Sequence, residues 1–113
     1  MPSIQNVQNV GAATTVDNVL AGSQYEFLPY DAYLEFAVVG DTNAADLRVD
    51  VYSGQDVLLE NSRPSAQNRI PVYPDDFGLT DYAAAGDRLK IRVRNNNAGA
   101  ARDLFYSLRI TPV

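Results

Sequence analysis

The chain has no cysteine and no histidine among its 113 residues. Without cysteine there is no disulfide, no thiolate nucleophile and no cysteine-based metal site, and the fold is indifferent to the redox state around it. Without histidine the commonest general base and the commonest transition-metal ligand are lost together. Any catalysis would fall to carboxylates, Tyr, Lys or Ser. Tryptophan is absent as well, and lysine occurs once, at Lys90, against eight arginines. No phosphate loop, nucleophile elbow or zinc motif occurs. No run is apolar for long enough to cross a membrane, and Met1-Pro2-Ser3-Ile4-Gln5-Asn6 has neither the basic nor the apolar part of a secretory signal. The expectation is a complete, small product made in the cytoplasm, without catalytic activity, cofactor or bound metal.

What is present is ordinary for one globular domain: 46% apolar and 20% charged residues, with a net charge of −5. That balance repels nucleic acid from the average surface, so nucleic acid is not an expected partner. Apolar and polar side chains alternate through most of the chain, the period of a strand with one buried face. Residues 32–39 place Leu34, Phe36 and Val38 on one face and Tyr33, Glu35 and Ala37 on the other. Residues 47–52 turn Leu47, Val49 and Val51 inward. Ser53-Gly54-Gln55-Asp56 reads as a hairpin turn from which residues 57–60 return. Residues 104–110 bury Leu104, Tyr106, Leu108 and Ile110.

Weaker signals fill the gaps. Residues 25–28 read as a short strand stopped at Pro29, and residues 70–73 as an edge strand, since Pro71 cannot donate to a ladder. Residues 61–68 read as loop, 74–78 as a turn, and 79–85 as one helical turn capped by Thr80 or Asp81. Residues 1–21 form an N-terminal arm or edge strands, rich in Asn, Gln and Val and suited to adding a strand to a neighbour. Residues 22–113 form the sandwich proper. Seven to nine short strands between Gly, Pro and Asn turns predict an all-β, antiparallel, jelly-roll-like β-sandwich.

The most informative stretch is Arg88-Leu89-Lys90-Ile91-Arg92-Val93-Arg94. As a strand it has one apolar face (Leu89, Ile91, Val93) and one basic face (Arg88, Lys90, Arg92, Arg94). A hairpin with the last strand would add Arg109 to the same face. Arg48, Asp50 and Glu35 also point outward, so a ladder of cross-strand ion pairs is the plainer reading, and a docking face for an acidic partner the functional one. Tyr30 and Tyr73 adjoin prolines, and with Phe77 they divide evenly between core and contact surface. Asp41-Thr42-Asn43 with Asp46, and Asp75-Asp76 with Asp81, loosely match a calcium loop. The first lacks its glycine and distal glutamate, and in both places Asp and Asn are the default turn residues. Glu26, Glu35 and Glu60 show no glycosidase-like spacing.

Three stretches resemble small structural proteins of bacteriophage virions: Gly22-Ser23-Gln24-Tyr25-Glu26-Phe27-Leu28-Pro29, Val51-Tyr52-Ser53-Gly54-Gln55-Asp56-Val57-Leu58-Leu59-Glu60, and Tyr73-Pro74-Asp75-Asp76-Phe77 leading to Ala85-Gly86-Asp87-Arg88-Leu89-Lys90. The resemblance runs from Gly22 onward, and none of its motifs is catalytic. It implies a minor capsid or decoration protein located in the virion, homo-oligomeric, with other capsid proteins as partners and no membrane. A second set is similar to the pre-peptidase C-terminal domain, a secreted β-sandwich: Ala45-Asp46-Leu47-Arg48-Val49-Asp50-Val51-Tyr52, Leu58-Leu59-Glu60-Asn61-Ser62, Leu89-Lys90-Ile91-Arg92-Val93-Arg94 and Tyr106-Ser107-Leu108-Arg109-Ile110. This one implies a non-catalytic module that binds carbohydrate or a cell surface.

Overall fold

A computed structural model describes residues 3–72 and 76–113. The described chain is all-β, with a single 3₁₀ turn at Ala44–Asp46. Its eight strands are β1 (Ser3–Val10), β2 (Thr15–Val16), β3 (Ala32–Gly40), β4 (Leu47–Ser53), β5 (Asp56–Ser62), β6 (Leu79–Ala83), β7 (Leu89–Asn95) and β8 (Arg102–Pro112). They make two four-stranded antiparallel sheets, in the orders β1-β8-β3-β6 and β2-β7-β4-β5. The pairs β1–β8, β2–β7, β3–β6 and β4–β5 are the rungs of one long hairpin whose tip is the β4–β5 turn. Rolling that hairpin into two facing sheets, joined within each sheet by β3–β8 and β4–β7, is the jelly roll.

The core follows the alternation. Leu47, Val49 and Val51 of β4 and Leu89, Ile91 and Val93 of β7 are sealed from solvent, as are Leu34 and Phe36 of β3 and Leu104, Leu108 and Ile110 of β8. Each such side chain contributes about 1.5–3 kcal/mol of burial. At the β4–β5 tip, Gly54 takes φ 59° at the first central position, the backbone of a tight hairpin turn. A Cβ there would lie 3.0 Å from the Asp87 carboxylate.

Several expectations are corrected. Residues 25–28 are turns with one bridge, Phe27 to Arg88, because their main chain is tied across to the start of β7: Leu89 N donates to Glu26 O and Leu28 N to Asp87 O. Residues 70–72 carry no strand; Tyr73 lies outside the described residues, as do Pro74 and Asp75. The expected helical turn at 79–85 is β6, since Leu79, Asp81 and Ala83 pair in register with Phe36, Leu34 and Ala32 and tertiary pairing overrides a weak local preference. β5 continues through Asn61 and Ser62, where the ladder is irregular and Asn61 takes φ 46°. Ala37 and Val39 are buried although they alternate outward, where residues 65–68 dock on Gly40 at the end of β3.

The connection from β2 to β3 also shows a device invisible to periodicity. After β2 the strand is continued by a side chain: the buried Asn18 donates from Nδ2 to Leu89 O, and its Oδ1 accepts from Leu20 N and Ile91 N. The carboxamide thus satisfies buried main-chain groups of β7 that a longer β2 would have paired.

Candidate functional site

The basic stripe lies on the outer face of the second sheet. Its β7 residues stand opposite those of β4 in register: Lys90 faces Tyr52, Arg92 faces Asp50 and Arg94 faces Arg48. Two arginines directly opposite repel, and each turns away to a neutral acceptor. Arg48 Nη1 donates to the carbonyls of Ala45 and Leu47, both at 2.8 Å. Arg94 Nη2 donates to Asn61 Oδ1 at 3.1 Å. Asp50, though opposite Arg92, accepts instead from Asn61 N at 2.5 Å, pinning the β5 irregularity.

The stripe finds its counter-charges in the connections rather than in a ladder. Asp17, just past β2, lies 3.5 Å from Lys90 Nζ and 3.8 Å from Arg92 Nε. Glu26 accepts from Arg88 Nε at 2.9 Å, while its other oxygen accepts from Gly22 N. The Gly22 amide first, and Arg88 after it, hold the Glu26 carboxyl below its ordinary range, against the opposing effect of burial. A depressed carboxyl stabilises the fold above its unfolded-state value and loses that contribution as pH falls through the folded value. Two rings complete the face: Lys90 sits 5.7 Å from the centre of Tyr52, and Arg88 sits 5.9 Å from that of Phe27, which is 57% exposed. Tyr52, Gly54, Arg88 and Lys90 line a shallow depression of about 210 Å³.

Arg109 does not join this surface. β7 and β8 belong to different sheets, so the expected shared face does not form. Arg109 stands on the outer face of the first sheet, opposite Glu35 in register with its Nε 4.0 Å from Glu35 Oε1. Tyr30 packs against the core beside Tyr25, and burial, then Tyr25, pushes its phenol above the ordinary value. Phe77 is half-buried. The exposed aromatic that residue patterning misses is Tyr82, 73% exposed on the outer face of β6 with its ring centre 4.8 Å from that of Tyr33. Its signal was the alternation Leu79, Asp81, Ala83 against Thr80, Tyr82, masked by reading the segment as helical.

The acidic turns act as fasteners. Asp41 accepts from Asn43 N and from Asp103 N, and Asp46 accepts from Asn97 Nδ2 at 3.1 Å and Arg102 Nε at 2.9 Å. Asn97 first and Arg102 second hold the Asp46 carboxyl below its ordinary range. Asp76 accepts from Val72 N and Arg69 Nη1. Among the described residues no cluster of three or more carboxylates gathers at metal-binding distance.

No protein-family model matches the chain, and no curated protein matches it.

Proposed function

We propose that the protein is a structural component of a bacteriophage virion, a minor capsid or decoration subunit that works by repeated assembly. The observation that carries this reading is the strand order β1-β8-β3-β6 against β2-β7-β4-β5, an eight-stranded jelly roll; that architecture recurs in viral capsid domains, where surfaces and strand edges do the work. The charged face supports it from the other side. Arg88, Lys90 and Arg92 each lie against a carboxylate of the same chain, Glu26 or the shared Asp17, so much of the stripe's charge is offset locally, which fits a protein contact better than a cationic trough for nucleic acid. The test is mass spectrometry of purified particles from cells carrying the gene, with cosedimentation of the purified protein and emptied capsids. Stoichiometric, many-copy presence in particles is the expected result; absence from them sinks the reading.

A second reading is favoured by one feature. Jelly rolls also serve as lectin domains, and the depression at Tyr52, Gly54, Arg88 and Lys90 sets a ring beside two cations. A module that binds an acidic glycan or cell surface would show saturable binding on a glycan array, lost in Tyr52→Ala.

A further inference from the structure

β1 is the outer strand of the first sheet, bonded on one side to β8 along all of Ser3–Val10 and, among the described residues, unpaired on the other. An unpaired strand edge is a template for another chain, and proteins ordinarily blunt it with charge, proline or brevity. β1 has none of these: Ser3-Ile4-Gln5-Asn6-Val7-Gln8-Asn9-Val10 is eight residues without a charge or a proline.

Two local contacts reveal which backbone groups face outward. Val7 N donates to Asn6 Oδ1 at 2.8 Å, and Asn9 O accepts from Gln8 Nε2 at 3.0 Å. Both groups turn to their own neighbours' side chains rather than to β8. In an antiparallel strand the N–H and C=O of one residue point to the same side, and successive residues alternate. Ser3, Gln5, Val7 and Asn9 therefore present their main-chain groups to the free edge, while Ile4, Asn6, Gln8 and Val10 bond β8.

We propose that this edge pairs with the same edge of a second copy, antiparallel about a two-fold axis at Asn6, so that Ser3 meets Asn9 and Gln5 meets Val7 of the other chain. That register engages every outward-facing residue and forms about eight main-chain hydrogen bonds, two for each mutual pair. It is the self-complementary arrangement an isologous dimer requires. The choice of a second copy over a foreign strand comes from the side chains. Every cross-pair is amide, hydroxyl or aliphatic, so no charge is left opposite its like, and Val7, 41% exposed, loses solvent against Gln5. The result is a continuous sheet running through both copies. The inference rests on the reading of the protein as an assembling subunit and names its first partner.

The test uses the full chain. Sedimentation velocity from micromolar to millimolar protein should show a concentration-dependent dimer, with amide exchange at Gln5, Val7 and Asn9 slowing as the dimer fills. Gln5→Lys/Val7→Lys places lysine opposite lysine twice, and self-association should weaken by at least about tenfold. Gln5→Glu/Val7→Glu should behave alike, and a mixture of the two double variants should form a heterodimer. Val7→Pro removes one outward N–H and leaves the β8 ladder intact; should it fail to fold, the charge pair still decides. A wild-type monomer at every concentration overturns the proposal, as does a dimer whose odd-numbered amides exchange freely or one that survives the lysine pair. A β1 dimer that never enters particles would instead remove the virion reading and leave the pairing standing.

Discussion

β1 and β6 are the two edges of one sheet, yet they are built to opposite ends. β1 is long and uncharged. β6 is five residues and sets Asp81 opposite the fully buried Leu34, on the inward face. Among the described residues Asp81 Oδ2 is buried without a hydrogen-bond partner. An inward-pointing carboxylate on a short edge is a known way to stop strand addition. It costs the fold the desolvation of that oxygen. The same sheet thus closes one edge at the expense of stability and leaves the other open.

Proline substitution along β1 should separate its inward-bonded from its outward-facing residues by the largest margin. Asn6→Pro removes a ladder bond to β8 and should lower stability by about 3 kcal/mol in urea unfolding, while Val7→Pro costs much less. Equal losses at both positions would refute the assignment of outward residues. Next is Asp81→Val, which replaces the stranded carboxylate with a strand former and should raise stability by about 1–3 kcal/mol in thermal unfolding. The same variant should add a second, β6-mediated association visible by light scattering. Tyr82→Ala, which removes the ring beside Tyr33 on the guarded edge, should cost about 0.5–1.5 kcal/mol and leave the dimer unchanged. The smallest effect belongs to the charged face: Asp17 is 74% exposed, and Asp17→Ala should cost less than about 1 kcal/mol while leaving β1 pairing intact.

Much of this fold is legible in the strands that alternate strictly. β4, β7 and β8 combine β-branched and large apolar residues at every second position, so their buried faces follow from spacing alone. The segments that misled are those whose shape is set from elsewhere. Residues 25–28 have a strand's composition but spend their hydrogen bonds on residues 86–89. β6 looks like a capped helical turn because its inward row contains Asp81, the one polar residue where an apolar one would have declared a strand. The basic stripe was visible as a pattern. Its counter-charges were not, because Asp17 and Glu26 lie 73 and 62 residues from Lys90 and Arg88.

Local pattern is enough to make this an all-β sandwich, to give Arg88, Lys90, Arg92 and Arg94 a shared direction, and to leave β1 without charge. Period-two alternation and composition are local properties, complete within each segment. Tertiary contacts alone make β7 and β8 part into different sheets, bring Arg88, Lys90 and Arg92 against carboxylates of their own chain, and leave β1 as an edge. These depend on which strands become neighbours once the long hairpin rolls up, and burial of the whole core, not any single strand's preference, selects that arrangement.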